Sequence, residues 1–399
     1  MKSQSQVSTR KTHDVIVIGG GSAGYAAART ARDAGADVAI VDQGPLGGLC
    51  ILRGCMPTKA ILRSAEVAAL LRRAKEFGLS PVSSSADLSA IVDRKDRLIR
   101  EFADYRIQQL RDPAFALYES RGRFCSPREI DIGGSRLSAR TFIIATGSSP
   151  SDVAIPGLSD VDFFTSDTIL DLRTQPGSLL VLGAGPVALE LGQFFARLGT
   201  KVTILQRGRT VLSQMDEDIG LALEAALKED GIEVVTEAQV LRVTCQEGRK
   251  SVWVKQHGQE RAFSADAILQ ALGRRPNISG LQLDAAGVDV TGGRIVVDAA
   301  MRTSQPHIFA VGDVNDVNPI VHLAIQQGEI AGYNATHAGK PSRNIDHRLD
   351  AEVVFTEPQV AVVGLNERMC RSKGIRYLTA SYPFADHERH SVSAHRMAS

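Results

Sequence analysis

Residues 14–42 of the chain read DVIVIGGGSAGYAAARTARDAGADVAIVD. The segment opens with four apolar β-forming residues, Val15 to Ile18, which predict a buried parallel strand. Gly19, Gly21 and Gly24 follow at the spacing G-x-G-x-x-G. Glycines at this spacing permit a tight turn, a close approach of the backbone to a pyrophosphate, and close packing of the next helix on the strand.

The residues after this turn complete a strand–helix–strand unit. An alanine-rich helix is predicted up to Gly35, and a second strand, Val38 to Val41, ends at Asp42. Free N–H groups at the start of such a helix bind phosphates, and a carboxylate at the end of the second strand accepts hydrogen bonds from ribose hydroxyls. A glycine triplet alone is weak evidence, but the complete unit indicates a dinucleotide site rather than a purely structural turn.

A second unit of the same kind occupies residues 178–207, which read SLLVLGAGPVALELGQFFARLGTKVTILQR. Its turn carries Gly183, Gly185 and Ala188 at the three glycine positions. Two such units predict two dinucleotides, one held permanently and one exchanging.

The second unit ends differently from the first. Gln206 stands where an acid is expected, and Arg207 and Arg209 follow it. The loss of a carboxylate and the gain of guanidinium groups favour a coenzyme with a 2′-phosphate, so NADP is predicted in preference to NAD. The alternative is that the basic loop is a solvated surface and that NAD binds.

Residues 47–59, GGLCILRGCMPTK, contain two cysteines, Cys50 and Cys55. In a regular helix, residues five apart lie about 7.5 Å apart along the axis, which is too far for a disulfide, whose Cα atoms usually lie within about 6.8 Å. The two thiols can therefore bond only if the helix is distorted here. Gly54 and Pro57 supply such a distortion.

Three uses of these two thiols are open: a redox couple, a zinc site and core packing. A good helix is predicted from Thr58 to Gly78, so Cys55 lies near a helix N-terminus with Lys59 one turn on, and both features favour a thiolate. Zinc needs a second pair of ligands. The remaining cysteines are isolated along the chain: Cys125, Cys245 and Cys370. A redox couple is therefore favoured over zinc and over packing.

Length and composition limit the function classes. At 399 residues the chain suggests two or three domains, with 43% apolar residues and a formal net charge of +1. Near-neutral charge removes the usual electrostatic reason to bind nucleic acid or an anionic membrane. The first thirteen residues lack the apolar core of a signal peptide, and no apolar run approaches eighteen residues, so a cytoplasmic location is expected.

The cysteine segment resembles the signature G-G-x-C-x-x-x-x-G-C-x-P-S/T-K of the FAD-dependent pyridine nucleotide–disulfide oxidoreductases. It departs from the signature at Leu49, where the family usually has threonine. The resemblance covers about residues 13–380. Further matching segments follow in the family's order: IIATGSSP at 143–150, ALGRRPN at 271–277, IFAVGDV at 308–314 and VHLAIQQG at 321–328.

The resemblance implies the cofactors FAD and NADP (or NAD) and a role for each catalytic residue. Cys55 corresponds to the thiol next to the flavin, and Cys50 to the thiol that exchanges with substrate. Lys59 corresponds to a cation near flavin N5 that pairs with Glu190, although a purely structural ion pair is the alternative.

The resemblance also implies a set of nucleotide-binding positions, and no metal site is expected. These positions are Gly19, Gly21, Ser22, Ala23, Gly24, Asp42, Gly48, Lys59, Thr146, Gly147, Gly183, Gly185, Ala188, Gln206, Arg207, Gly273, Arg274, Gly312, Asp313 and His322.

The expected fold class is α/β, with two Rossmann-like dinucleotide-binding domains and an incomplete α+β interface domain. FAD-binding sequence is expected at 13–150 and 270–340, the NAD(P)-binding domain at 151–269, and a partial dimerisation domain at 347–399.

The expected function is electron transfer between NAD(P)H and a disulfide or dithiol substrate through FAD and the Cys50–Cys55 couple, most like dihydrolipoyl dehydrogenase. One alternative is an NADPH enzyme similar to mercuric reductase or glutathione reductase. Another is a flavoprotein with only NAD(P)H oxidase or diaphorase activity, or with none.

The last residues, 382–399, read YPFADHERHSVSAHRMAS and do not match the end of the family's interface domain. His387, His390 and His395 lack the His-Pro context of the family's acid–base histidine. About half of the interface domain is therefore expected to be absent. The family's homodimer should be weakened, and turnover of a disulfide substrate should be depressed by roughly 10² or more.

Overall fold

The computed structural model describes residues 11–80 and 85–383. Within these residues the chain forms two compact units. The first unit comprises residues up to 52, 99–149 and 274–347, and the second comprises 53–98, 150–273 and residues from 348 onward. None of the helices in the described part of the chain is long and apolar enough to cross a bilayer.

The strands and helices are numbered in chain order. The strands are β1 (Lys11–Ile18), β2 (Val38–Asp42), β3 (Phe115–Glu119), β4 (Arg123–Ser126), β5 (Glu129–Ile132), β6 (Ser135–Ile144), β7 (Ser148–Pro150), β8 (Phe164–Thr165), β9 (Ser178–Leu182), β10 (Lys201–Leu205), β11 (Glu233–Val235), β12 (Gln239–Gln246), β13 (Arg249–Gln256), β14 (Gln259–Ala265), β15 (Ala267–Gln270), β16 (Arg274–Pro276), β17 (Val290–Thr291), β18 (Arg294–Ile295), β19 (Ile308–Ala310), β20 (Ala351–Val354) and β21 (Val360–Val363). The helices are α1 (Ser22–Asp33), α2 (Leu49–Leu52), α3 (Cys55–Arg72), α4 (Leu88–Leu110), α5 (Pro186–Leu198), α6 (Glu217–Glu229), α7 (Leu283–Ala286), α8 (Val321–Thr336) and α9 (Glu367–Ser372).

The first unit is built on a seven-stranded sheet in the order β3-β2-β1-β6-β5-β4, with β19 also paired to β6. The strands β3, β2, β1, β6 and β19 run parallel, whereas β4 and β5 are antiparallel additions. In β1, Val15 and Val17 pack in one hydrophobic cluster, and Ile16 and Ile18 pack in another. Since successive side chains of a strand point to opposite faces, both faces of β1 are buried, as the continuous apolar run predicts.

The second unit repeats this plan in a five-stranded parallel sheet with the order β11-β10-β9-β15-β8. Leu179 and Val181 of β9 face one core cluster, and Leu180 and Leu182 face another. The unit also contains the antiparallel sheet β12-β13-β14 and the hairpin β20-β21. The predicted α/β fold with two Rossmann-like parallel sheets is confirmed.

The domain boundaries drawn from the sequence stay predictions, because the two units are defined by packing and not by the nucleotide that each would bind. The expectations for His387, His390 and His395 fall on residues outside the described part of the chain.

Candidate active site and nucleotide-binding turns

The first glycine turn joins β1 to α1. Gly19 has φ +105°, and its N–H donates to Val41 O at 2.8 Å. A Cβ placed on Gly24 would lie 1.8 Å from Gly19 O. The helix therefore starts closer to the strand than any side chain at position 24 would allow.

Asp42 at the end of β2 is bound directly to this turn. Its Oδ2 accepts a hydrogen bond from Gly20 N at 2.6 Å, and its Oδ1 accepts one from Gly44 N at 2.7 Å. Each carboxylate oxygen still has a lone pair to offer. The side chain is thus held in place by the backbone and can accept a further hydrogen bond, as a ribose-binding acid must.

The loop that precedes the cysteines packs on the same turn. Gly48 has φ +77°, and a Cβ placed on it would lie 2.5 Å from Gly21 Cα. The two backbones touch without any side chain between them. Cys50, two residues further on, is therefore carried by a segment that is built on the first glycine turn.

A second group of predicted residues in the first unit forms one hydrogen-bond network. Asp313 Oδ2 accepts a hydrogen bond from Ser148 Oγ at 2.6 Å. Arg274 donates to Ser148 Oγ through Nε at 2.9 Å and to Ser148 O through Nη2 at 3.0 Å. Thr146 Oγ1 donates to Asn277 O at 2.7 Å. The structure thus brings together positions that the sequence separates by more than 100 residues.

Gln327 on α8 was not singled out from the sequence. Its side chain is fully buried, and its Oε1 accepts hydrogen bonds from Gly312 N at 2.7 Å and from Asn315 Nδ2 at 2.9 Å. Its Nε2 has no hydrogen-bond partner among the residues that the structure describes. A buried amide donor beside Gly312 suits an oxygen-rich ligand. His322, by contrast, lies exposed in the first turn of α8.

Arg106 on α4 is a second residue that sequence reasoning missed. Its guanidinium lies over the ring of Tyr25 at 4.3 Å. Its Nε and Nη1 are buried and lack hydrogen-bond partners within the described part of the chain. Burial lowers the pKa of Arg106 from its ordinary value. No sequence signal points to it, because more than 80 residues separate it from Tyr25 of α1.

The second glycine turn joins β9 to α5 with the same backbone. Gly183 has φ +98°, and its N–H donates to Leu205 O at 2.9 Å. Gly185 caps α5, and a Cβ placed on it would meet nothing within 4 Å among the described residues. Ala188 is fully buried.

The residues after β10 form the loop that was predicted to bind a 2′-phosphate. The side chain of Gln206 donates from Nε2 to Thr210 O at 3.1 Å, which folds it back onto its own loop. Arg207 and Arg209 are exposed, and Arg209 Nε lies 3.9 Å from a carboxylate oxygen of Glu237. In the described part of the chain no carboxylate pairs with Arg207.

As predicted, the helix is interrupted within the cysteine segment. Cys50 lies in α2, which ends at Leu52, and Cys55 is the first residue of α3. Both cysteines are half-buried. The helix that was predicted from Thr58 to Gly78 in fact begins at Cys55 and ends at Arg72, because Pro57 fits the first turn of a helix, where its missing N–H costs nothing. No group of three or more His, Cys, Asp and Glu side chains in the described residues is arranged to hold a metal ion.

Lys59 and Glu190 form the ion pair that the resemblance implied. Lys59 Nζ lies 2.8 Å from Glu190 Oε2 and 3.1 Å from Glu190 Oε1. Glu190 is only 4% exposed. A third member, missed from the sequence, is Phe355, whose backbone N–H donates to Glu190 Oε1 at 2.9 Å.

Comparison with known proteins identifies the fold family. The sequence profile described as "Pyridine nucleotide-disulphide oxidoreductase" matches residues 13–328. A mercuric reductase of Staphylococcus aureus is 35% identical over 93% of this chain and 68% of its own length. A dihydrolipoyl dehydrogenase of Bacillus subtilis (strain 168) is 34% identical over 90% of this chain and 78% of its own length.

The solved structures point the same way. The Cu(II) complex of the HOCl-induced flavoprotein disulfide reductase RclA from Escherichia coli superposes with a TM-score of 0.83 at 27% identity, over 96% of this chain and 84% of that one. The chain spans 59% of a mercuric reductase of Bacillus cereus that is 35% identical. Its glycine turns, its matched cysteine segment and these relatives agree, and the chain belongs to the pyridine nucleotide-disulphide oxidoreductase family.

Proposed function

We propose that this protein is an FAD-dependent oxidoreductase that passes electrons from NADPH to a disulfide substrate through Cys50 and Cys55. The observation that carries the proposal is the backbone contact between Gly48 and Gly21. This contact holds the segment that carries Cys50 against the glycine turn that would bind the dinucleotide. The cofactor and the thiol would therefore lie close together.

The residues of the first unit fit FAD. The glycine turn leaves its backbone open to a pyrophosphate, and Asp42 is held where a ribose hydroxyl can donate to it. The Asp313 network and the buried Nε2 of Gln327 add polar groups that suit the rest of the molecule. When bound, FAD supplies a carrier that takes two electrons from a nicotinamide and gives them to a disulfide.

The thiols perform the exchange with substrate. The Cys50 thiolate attacks one sulfur of the substrate disulfide, forms a mixed disulfide and releases the first substrate thiolate. The Cys55 thiolate then attacks the Cys50 sulfur, which releases the second substrate thiolate and forms the Cys50–Cys55 disulfide. The substrate gains two electrons and the protein dithiolate is oxidised to a disulfide, and the two released thiolates take up their protons from water. The position of Cys55 at the start of α3 favours its thiolate.

Residues of the second unit support the proposed coenzyme and the proposed cation. Arg207, which is exposed and without a carboxylate partner in the described residues, suits a 2′-phosphate, so NADPH is the proposed coenzyme. Following the resemblance, Lys59 supplies the positive charge that stabilises the reduced flavin.

Hg(II) is the second candidate acceptor. Mercuric reductases of Staphylococcus aureus and Shigella flexneri are 35% and 38% identical to this chain. A dithiol substrate of the dihydrolipoyl type is supported by the dehydrogenase relatives at 34% and 36% identity. Steady-state assays separate these hypotheses about the acceptor. The panel contains lipoamide, glutathione disulfide and Hg(II), and ferricyanide and O₂ are included as acceptors for plain diaphorase activity.

An anaerobic titration with NADPH tests the proposal itself. The purified protein should be yellow, and NADPH should produce a long-wavelength absorbance band from the Cys55 thiolate against oxidised flavin. Cys55→Ser should abolish the band. Cys245→Ser, which changes an exposed cysteine elsewhere, is the matched control and should keep it. A band that survives in Cys55→Ser would contradict the assignment.

A further inference from the structure

One face of α5 forms hydrogen bonds to a short segment of the chain, residues 355–357. Glu190, Gln193 and Arg197 are spaced by three and four residues, so they lie on the same face of the helix. They are 4%, 2% and 8% exposed. Buried polar side chains need partners, and each of the three bonds to this segment, while Gln193 and Arg197 also donate to Asp230 Oδ2.

The contacts bind the backbone of the segment as well as a side chain. Glu190 Oε1 accepts a hydrogen bond from Phe355 N at 2.9 Å. Gln193 accepts one from Glu357 N and donates one to Glu357 O, both at 2.7 Å. Arg197 Nη1 pairs with Glu357 Oε2 at 2.8 Å. Residues 355–357 are therefore fixed to α5 at both ends.

Phe355 contacts both members of the Lys59–Glu190 pair. Its backbone N–H shares Glu190 Oε1 with the lysine, and its ring lies 4.2 Å from Lys59 Nζ. The ammonium is thus held by a carboxylate and by the face of an aromatic ring. Both holding groups are fixed, since the carboxylate is buried and the ring belongs to the bound segment.

The ring contributes little to the core. Phe355 is 40% exposed, whereas its neighbour Val354 is fully buried in the main cluster of the second unit. Replacing an exposed ring with leucine removes little buried apolar area, but it removes the only feature of the side chain that attracts a cation. The position of Phe355 is therefore better explained by Lys59 than by packing.

We propose that Phe355 is a positioning residue that fixes the ammonium of Lys59, through its ring on the lysine and its N–H on Glu190. This rests on the proposed function insofar as Lys59 supplies charge to the flavin. The placement of the ammonium itself is a property of the second unit and can be measured without electron transfer.

The first test measures the reactivity of Lys59 in the whole protein. Reductive methylation followed by peptide mass spectrometry should show Lys59 reacting about threefold to tenfold faster in Phe355→Leu than in the wild type, relative to the exposed Lys201. Phe355→Tyr keeps the ring and should restore the wild-type rate. Tyr377→Leu removes another exposed ring that lies beside a cation and should leave Lys59 unchanged. An unchanged rate in Phe355→Leu would overturn the inference.

The second test connects the placement to the proposed function. In stopped flow, the rate at which NADPH reduces the flavin should fall by about threefold to tenfold in Phe355→Leu and recover in Phe355→Tyr, with the melting temperature unchanged. If Lys59 becomes more reactive but NADPH fails to reduce even the wild-type flavin, the proposed function is wrong and the placement stands. If NADPH reduces the wild type and Phe355→Leu equally fast with equal Lys59 reactivity, the placement is wrong and the function stands.

Discussion

Gly19 and Gly183 occupy the same place in two separate strand–helix–strand units, and their backbones agree closely. Their φ angles are +105° and +98°. Their N–H groups donate to the next parallel strand, to Val41 O at 2.8 Å and Leu205 O at 2.9 Å. The two turns thus use the same backbone conformation to pass from a strand into a helix, and each leaves N–H groups exposed.

The surroundings of the two turns differ. The first turn is covered by Gly48, whose own Cβ would lie 2.5 Å from Gly21 Cα, although a Cβ on Gly21 itself would meet Gly48 Cα at an ordinary 3.8 Å. The second is open, because a Cβ on Gly185 would meet none of the described residues within 4 Å. We propose that the covered first turn holds the cofactor that stays and that the uncovered second turn holds the coenzyme that leaves.

The largest effect is expected from adding one methyl group to the first turn. In Gly24→Ala the new Cβ would lie 1.8 Å from Gly19 O, a backbone atom that cannot move without displacing α1 or β1. We expect a loss of about 3 kcal/mol or more in the free energy of unfolding, and protein with little bound flavin. Thermal melting and the ratio of visible to ultraviolet absorbance measure the two effects.

The contrasting variant is Gly185→Ala, at the position of the second turn that corresponds to Gly21, because the position that corresponds to Gly24 is already an alanine, Ala188. Gly185 has φ −81°, which any residue adopts, and open space around its Cβ position. Gly185→Ala should therefore keep its melting temperature and its yellow colour, while KM for NADPH rises because the methyl group narrows the approach to the phosphates. Equal losses of flavin in both variants would show that the two turns are not distinct in the way described.

The sequence could predict the turns because their residues are close together along the chain. The βαβ pattern placed Asp42 beside the first glycines, and the structure shows it bonded to Gly20 and Gly44. Arg106, Gln327 and Phe355 could not be found in this way. Arg106 and Phe355 meet their partners across many residues of sequence. Gln327 lies in the matching segment VHLAIQQG, but nothing in that segment distinguishes it from Gln326.

The Lys59–Glu190 pair lies between these two cases, because it could be predicted from the family resemblance but not from the spacing of its two residues. Nothing in the spacing of two residues 131 apart indicates a contact, and the expectation came only from the family resemblance. The structure supplies the reason for the contact, since α3 and α5 pack together and each presents one of the two residues.

A smaller effect is expected at the loop that distinguishes the two turns by charge. Arg207→Glu should shift the ratio of kcat/KM toward NADH by about tenfold or more, equal to about 1.4 kcal/mol, because a carboxylate repels the 2′-phosphate. Steady-state assays with both coenzymes measure the ratio. Arg261→Glu, at an exposed arginine of β14, is the control and should leave it unchanged. An unchanged ratio in the double variant of Arg207 and Arg209 would mean that the loop is only a solvated surface.

The smallest effect is expected from the reverse exchange in the second turn, Ala188→Gly. Here the methyl group exists, is fully buried and packs in the main cluster of the second unit. Its removal leaves the turn intact but loses one buried methyl group and adds backbone freedom in α5, so we expect a loss of about 1 kcal/mol in the free energy of unfolding. A urea denaturation midpoint measures this loss, and KM for NADPH should stay within about twofold, because position 188 lies on the core side of the helix. Tighter coenzyme binding in Ala188→Gly would contradict the comparison, since it would mean that the alanine, and not the open surroundings of Gly185, limits how closely the coenzyme approaches the second turn.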